Sequence, residues 1–390
     1  MDDILVDDRC MMTSRGGIAT YLRSVLSHWP GRKKPVGFCG RYFRWRYSDQ
    51  PGGQDHLEAF RLRPLAQLIA ETPAMLPEET NRRLDIGIRV YEAAYRAASL
   101  LGRFRLQFEP NYLPMPIRGL TVTTCCDVSV LEHPEWHPAQ RVKRWQEAIA
   151  RSMKITDQWI TISHFSRRRM EAVLGIPPEK VEVIHLAARQ LPKVDEDTIR
   201  ALRSEGQLPE SYVLHLGTIE PRKNVEVLLD AWQQIRSDLP SGSKLVLAGS
   251  LGWGGLAFGK RLASHQAAGD VLATGGLTDA QVSTLIMGAR ALLAPSWYEG
   301  FGLPVVEAMA AGIPVACSDI DVFNEVASDA AEYLHPQDVD GWASVIARSF
   351  LDASWRKDLI ERGHEREKLF SWTKAAGAHA ALFAKMRKKL

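Results

Sequence analysis

Short apolar runs alternate along this chain with helical stretches of roughly 10–15 residues, and that alternation constrains the fold more than any other feature. It is clearest in the second half. Tyr212-Val-Leu-His-Leu216 reads as a strand, followed by Gly217 and a helix over Val225–Ile235. Lys244–Ala248 is the next strand, ahead of a glycine-rich loop, and Asp270–Ala273 another. Thr278 and Gln281 have the Thr-x-x-Gln spacing of a capping box, which opens a helix running to about Met287. Arg290–Ala294, a helix over Pro304–Ala311 and a strand over Pro314–Ala316 complete the series. The first half has strand candidates at Ile4–Val6, Leu120–Thr124, Gln158–Ile162 and Val181–His185. Helices are expected at Gly17–His28, after a Gly-Gly turn, and at about 140–154 and 164–174. Strands joined by helices pair in parallel, so both halves are predicted to be doubly wound α/β units. A length of 390 residues suits two domains, with a hinge near 187–208, where Leu191-Pro-Lys-Val-Asp-Glu-Asp has no clear period. Two such sheets facing each other make a cleft, and ligands bind at the carboxyl ends of the strands. No internal repeat and no low-complexity tract interrupts the pattern.

A 45% hydrophobic and 24% charged composition, with its 29 glycines and 21 prolines dispersed, excludes disordered, collagen-like and coiled-coil chains. The longest apolar stretch, Leu303–Cys317, carries Glu307 and two prolines, so no spanning helix is expected. The start, Met-Asp-Asp-Ile-Leu-Val-Asp-Asp-Arg, is acidic where a signal peptide is basic. Five cysteines without a Cys-x-x-Cys indicate neither a disulfide framework nor a zinc knuckle, and a reducing cytoplasm is expected. Charge divides unevenly: residues 1–190 hold 28 Lys+Arg against 21 Asp+Glu, and residues 191–390 hold 21 against 25. Basic runs interleave with aromatics at Arg41-Tyr-Phe-Arg-Trp-Arg46 and Arg141-Val-Lys-Arg-Trp145. Arg167-Arg-Arg169 and the tail Lys385-Met-Arg-Lys-Lys-Leu390 are also basic. With no nucleic-acid motif beside them, these runs are read as solvated faces or as contacts to an anionic membrane surface, not to nucleic acid.

The chemistry concentrates in Ala294-Pro-Ser-Trp-Tyr-Glu-Gly-Phe-Gly-Leu-Pro-Val-Val-Glu307. Gly300 and Gly302 let backbone approach a ligand, Pro304 suits a first helical turn, and Gly312 suits the position just past the helix end. Free N–H groups and the helix dipole make such a helix start a site for phosphate. Glu299 and Glu307 beside an anion site need another role, such as accepting hydrogen bonds from the hexose and ribose hydroxyls of one nucleotide sugar.

Residues 294–318 resemble the signature of the family-4 retaining glycosyltransferases, which have the two-domain GT-B fold: two Rossmann-like parallel-sheet domains facing a cleft. Leu216-Gly-Thr-Ile-Glu-Pro-Arg-Lys-Asn224 is similar to the family loop that carries Arg and Lys to the donor diphosphate. Ile4-Leu-Val-Asp-Asp-Arg9 and Arg15-Gly-Gly-Ile-Ala-Thr-Tyr21 resemble its first strand, glycine loop and first helix. Ile162-Ser-His-Phe-Ser166 and Phe370-Ser-Trp372 also fall in register. Within the family the chain looks closest to bacterial mannosyltransferase-like members that build lipid-linked surface polysaccharides.

The resemblance implies an acceptor-side domain at 1–190, a donor domain at 206–368 and a helix at 369–390 returning to the first domain. It implies that Gly16, Gly17, Gly217, Arg222, Lys223, Glu299, Gly300, Phe301, Gly302, Leu303 and Glu307 bind the donor. Glu299 would hold the hexose and Glu307 the ribose, while Arg222 and Lys223 stabilise the leaving diphosphate, the place where preorganised charge does most for such a reaction. No cofactor and no metal is expected, and Asp319-Ile-Asp321 is read as a loop and helix cap. The implied donor is a nucleotide sugar, GDP-mannose first, with UDP-glucose, UDP-N-acetylglucosamine and dTDP- or GDP-rhamnose as alternatives. The implied acceptor is a polyprenyl-diphosphate-linked saccharide, placing the chain on the inner membrane from the cytoplasm.

One departure stands out. Relatives usually read His-Asp where this chain has Cys126-Asp127. A thiol is a poor substitute for imidazole near pH 7. Asp127, His133, His137 or the leaving phosphate itself are the alternatives for receiving the acceptor proton. Sugar epimerisation or glycoside cleavage on the same fold is a second reading, disfavoured because hydrolysis needs two carboxylates flanking one sugar. A non-catalytic nucleotide-sugar-binding protein is the third.

Overall fold

The computed structural model describes residues 4–8, 10–13, 17–31, 34–37, 63–64, 91–102, 104–115, 117–253 and 270–390. Gly16 and the basic run at 41–46 lie outside the described residues. The strands are β1 (Ile4–Val6), β2 (Val36–Gly37), β3 (Arg63–Pro64), β4 (Leu106–Glu109), β5 (Leu120–Thr124), β6 (Gln158–Thr161) and β7 (Val181–Val183). The second half adds β8 (Ser211–Leu216), β9 (Ser243–Ala248), β10 (Val271–Ala273), β11 (Leu292–Ala294), β12 (Val315–Ser318) and β13 (Glu332–Leu334). The helices are α1 (Cys10–Thr13), α2 (Gly17–Ser27), α3 (91–101), α4 (Ser129–Glu132), α5 (Ala139–Ile155), α6 (His164–Leu174) and α7 (Glu196–Ser204). They continue as α8 (Val225–Ile235), α9 (Asp279–Gly288), α10 (Leu303–Ala310), α11 (Asp321–Ala327), α12 (Val339–Leu351), α13 (Ala353–Glu367) and α14 (Trp372–Arg387).

Two sheets result. The first has the order β2-β1-β4-β5-β6-β7 with every pair parallel. The second has the order β13-β12-β11-β8-β9-β10-β3 and is parallel except at its edge, where β3 from the first half of the chain pairs antiparallel to β10. Both sheets are covered on both faces, as parallel sheets require. Val213, Leu245 and Leu247 pack under Trp232 and Trp342 of α8 and α12, while their neighbours Leu214, Leu216 and Val246 face α9 and α10. In the first sheet Phe108, Val122 and Ile160 meet Tyr21, Leu22 and Val25 of α2. Trp159 turns to Trp145 and Met170 on the opposite face.

Strand β4 was not among the expected strands; its apolar and polar residues alternate, but Gln107 and Glu109 are buried along with Leu106 and Phe108. The stretch expected to be an irregular hinge contains α7, capped by Asp195, whose carboxylate accepts from the Thr198 N–H at 2.8 Å. Only Ile199 and Leu202 of that helix are buried, too few to show a period.

The halves meet along a polar and aromatic seam. Glu325 of α11 accepts from the backbone N–H groups of His164 and Phe165 at 2.7 and 2.8 Å, capping α6 with a carboxylate from the other half. His185 donates to the same carboxylate at 2.8 Å. Burial opposes the Glu325 charge, but these three donors outweigh it and hold its pKa below the usual carboxylate range. Helix α14 then crosses to the first sheet: Trp372 donates to the Ala188 carbonyl at 2.7 Å, and Phe383 packs on Trp29 and Phe108. Among the described residues no helix is long and apolar enough to cross a membrane.

Candidate active site

Strands β8 and β11 are neighbours, so the loops leaving their carboxyl ends lie side by side. They are stitched together. Asn224, in a left-handed conformation at φ 53°, donates to the carbonyls of Pro295 and Pro336 at 3.0 and 2.7 Å. The Trp297 N–H reaches the Arg222 carbonyl at 3.0 Å. The tight turn Pro221–Lys223 therefore presents Arg222 and Lys223 to the loop that carries Glu299.

Glu299 is the hub. Its carboxylate accepts from Ser296 Oγ at 2.8 Å and from Arg222 Nη1 at 3.0 Å, and Lys223 Nζ reaches its other side. Arg222 also donates to Glu220 at 2.8 Å and to the Tyr298 carbonyl at 2.7 Å. Burial works against the Glu299 charge, but Lys223 and Arg222 prevail and bring its pKa to about 2. Below Gly217, His215 is buried; its Nδ1–H donates to the Leu293 carbonyl at 3.1 Å. Burial and the nearby Lys223 charge lower its pKa to about 4, so the ring is neutral.

Helix α10 begins one residue ahead of Pro304. Its cap is Gly302, left-handed at φ 95°, where a Cβ would come within 2.6 Å of the Phe323 ring. Gly312 follows the helix at φ 71°, as expected of a residue just past a helix end. Glu307 points inward and is held by both forks of one guanidinium: Arg189 Nε and Nη2 donate to its two oxygens at 2.6 and 2.9 Å. Arg189 also reaches Asp279 at 3.1 Å. Nothing in the sequence around Arg189 signalled this pairing; it is a lone basic residue between two strandless segments.

The first half closes on this loop. Gly17 faces Leu303, whose Cδ1 would lie 3.8 Å from a Cβ at that position. Gly300 is pressed against the Cys126–Asp127 backbone: a Cβ there would stand 2.7 Å from the Cys126 carbonyl oxygen. Tyr298 donates to Glu132 at 3.0 Å, and Phe301 packs between His185 and Phe370. Burial, then the Asp127 charge, push the Cys126 thiol up to about 12, which keeps it protonated. Asp127 accepts from the Ser129 N–H and hydroxyl at 3.0 and 2.7 Å.

The two histidines of this loop part company. His133 stacks on Trp136 with centroids 3.9 Å apart and pairs with Glu135 at 3.2 Å. His137 is buried against Trp253.

The aspartate cap expected at 319–321 is corrected. Ile320, not an aspartate, holds the cap position of α11; Asp321 is its first residue and pairs with Arg168 at 3.2 Å, while Asp319 accepts from Asn324. In the basic runs at 141–145 and 167–169, Arg141, Lys143, Arg144 and Arg168 are exposed, as a solvated face requires, while some members also have partners. Arg141 lies over the Trp253 ring at 4.5 Å, Trp145 is core, and Arg169 binds Glu132 through Nε at 2.8 Å. Arg141 and Arg169 thus find an aromatic and an acidic partner.

Two parallel-sheet units that meet at the carboxyl ends of their strands, with a cation-bearing loop beside a glycine-capped helix, have the architecture of GT-B glycosyltransferases. Anabaena Alr3699/HepE in complex with UDP has the same fold, with a TM-score of 0.67 at 16% identity over 99% of this chain and 100% of that one. Residues 199–366 match the family described as glycosyl transferases group 1. The chain is 33% identical over 266 residues to the O-antigen chain mannosyltransferase B of Escherichia coli, covering 67% of this chain and 70% of that protein. It is 29% identical over 231 residues to the serotype-specific mannosyltransferase WbdA of Escherichia coli, covering 58% of this chain and 28% of that longer protein. The chain belongs to the group 1 glycosyl transferases and is a mannosyltransferase-like glycosyltransferase.

Proposed function

We propose that this chain moves mannose from GDP-mannose, with retention at C1, onto a polyprenyl-diphosphate-linked saccharide in O-antigen or exopolysaccharide synthesis. Mannosyl transfer rests on the likeness to O-antigen chain mannosyltransferase B, and a nucleotide-diphosphate donor is in keeping with UDP bound to the similarly folded Anabaena protein. The observation that carries the reading is the junction of Arg222, Lys223 and Glu299 beside the start of α10. The Glu299 carboxylate neutralises two cations. An arriving diphosphate takes over that role, releasing Glu299 to accept hydrogen bonds from the hexose hydroxyls. Glu307 and Arg189 lie one helical step deeper, where the ribose hydroxyls would compete for the same carboxylate.

As the bond from C1 to the diphosphate oxygen breaks, its electrons pass to the leaving phosphate, and Arg222, Lys223 and the first turn of α10 hold the new charge. The acceptor hydroxyl attacks C1 from the same face, and its proton goes to the leaving phosphate oxygen or to Asp127. Cys126 takes no proton, since its thiol is already protonated. With cations and helix supplied by the chain, no divalent metal is required. A lipid-linked acceptor sets the reaction at a membrane surface. There the exposed Lys385, Arg387, Lys388 and Lys389 at the end of α14 suit anionic headgroups.

The test is a thermal-shift and transfer panel with GDP-mannose, UDP-glucose, UDP-N-acetylglucosamine and dTDP-rhamnose in EDTA. Lipid extract supplies the acceptor. GDP-mannose at about 100 times its dissociation constant should stabilise the chain by about 2.7 kcal/mol and label the lipid. A larger shift and labelling with another donor would move the assignment to that sugar. Binding without transfer would replace the enzyme reading with a nucleotide-sugar-binding one, and restoration of transfer only by a divalent cation would remove the metal-free claim.

A further inference from the structure

A second cluster of chemically able side chains lies in the seam between the halves. It consists of His164 at the start of α6, His185 just beyond β7 and Glu325 of α11. A ring nitrogen from each histidine and a carboxylate oxygen of Glu325 all lie within 4.8 Å of one another. The two rings meet edge to face, with centroids 5.5 Å apart. Backbone holds the carboxylate in place: the N–H groups of His164 and Phe165 donate to Oε1 and Oε2 at 2.7 and 2.8 Å. His185 Nε2 lies 2.8 Å from Oε1. Among the described residues the His164 ring has no hydrogen-bond partner. The cluster is open to solvent, since His164 is exposed and the side chains of His185 and Glu325 keep 36% and 15% of their surface.

We infer that His164, His185 and Glu325 form a site for one divalent transition-metal ion, zinc first, which ties the two halves of the chain together. The donors set the class of ion. Two imidazoles and a carboxylate suit zinc with a water in the fourth position, whereas magnesium and calcium take oxygen ligands. Ligands about 2.0–2.2 Å from a tetrahedral ion stand about 3.3–3.6 Å apart. A cluster no wider than 4.8 Å reaches that spacing by a turn of the His164 ring, which no hydrogen bond restrains. The ion takes the place of the proton between His185 Nε2 and Glu325 Oε1, and that proton moves to Nδ1 of the same ring by way of water. The two backbone N–H groups stay on the carboxylate, as the outer hydrogen bonds of a ligating carboxylate. The start of α6 repels a bare cation, and the ionised Glu325 offsets that repulsion. Both histidines come from the first half and the carboxylate from the second, so the ion acts as a cross-link. It makes no use of Glu299, Arg222 or Lys223, and the inference is independent of the transferase reading.

The test titrates the full chain, stripped with EDTA and exchanged into metal-free buffer, with zinc, cobalt and magnesium chlorides. The same titrations are run on His164→Ala and His185→Gln. His164→Ala keeps the N–H that Glu325 accepts and loses an exposed ring, so its metal-free melting temperature should match wild type. Wild type should bind one zinc ion and melt higher with zinc but not with magnesium. With cobalt it should show the intense visible bands of a four-coordinate ion. His164→Ala should bind zinc at least about tenfold more weakly and lose those bands. His185→Gln, which keeps a donor toward Glu325 but no imidazole, should behave alike. Wild-type zinc affinity in either variant would overturn the site, because other groups would then hold the ion. So would the absence of zinc binding by wild type, or an equal response to magnesium. The GDP-mannose thermal shift in EDTA should be the same in all three chains, so a failure of the donor reading is seen separately from a failure of this site.

Discussion

Replacing Glu299 with alanine leaves Arg222 and Lys223 buried with only Glu220 between them. Removing one partner of a buried pair strands the other charges, at a cost of about 3–5 kcal/mol, so Glu299→Ala should melt well below wild type. GDP should then raise the melting temperature of Glu299→Ala more than that of wild type, because phosphate replaces the missing carboxylate. Equal shifts in calorimetry would end the exchange argument. Lys223→Ala should cost transfer at least 100-fold with a smaller stability change, and normal transfer by that variant would sink the diphosphate assignment.

The buried histidines set a pH limit at the same scale. His215 and His379 are both lowered to about 4, chiefly by burial, from an ordinary 6.5. The unfolded chain therefore binds more protons between those values. The stability each confers is complete above about pH 6.5 and is lost as pH falls through 4, about 3 kcal/mol apiece. Urea melts at pH 7 and pH 4.5 should show this, and His379→Gln should flatten the acid side. Glu299 and Glu307 were legible in the sequence because glycines and a proline frame their segment, and Arg222 and Lys223 through the resemblance of residues 216–224 to the family loop. Arg189 was not, since its partner is 118 residues away and only the folded chain brings them together.

Elements that bury one regular face were read to within a residue or two. Helix α8 spans Val225–Ile235 and α6 spans His164–Leu174, each as expected, and the capping box of Thr278 and Gln281 is formed in both directions. Strand β4 and helix α7 escaped notice for opposite reasons: one has polar residues buried in a sheet, and the other has too few apolar ones. At the donor loop the two glycines do different work. Gly302 is needed for its left-handed backbone, so Gly302→Ala should destabilise by about 1–3 kcal/mol and displace the start of α10. Gly300 is needed for space against Cys126. Gly300→Ala should wedge the seam apart and reduce transfer at least tenfold while donor binding falls less. Equal loss of both in paired titrations would show that the contact serves the donor alone.

At the scale of the molecule, the path of the chain matters more than the boundary between sheets. Tyr21 donates to His379 Nε2 at 2.6 Å, and the His379 Nδ1–H reaches the Ala375 carbonyl at 2.8 Å. Thr124 lies 3.0 Å from the same tyrosine hydroxyl. Helix α14 thus completes the core of the first sheet. Deleting residues 371–390 should unfold the first half, and a peptide spanning them should bind and restore it. If the truncated chain keeps the wild-type melting curve, α14 is an ornament. Synthesis on the ribosome gives the same connection another meaning. The strands of the first sheet emerge some 200 residues before the helix that seals them, a wait of about 10–40 s at ordinary elongation rates. Through that interval Tyr21, Phe108 and Val122 face water or a chaperone, so the half made earlier is the half that finishes folding later.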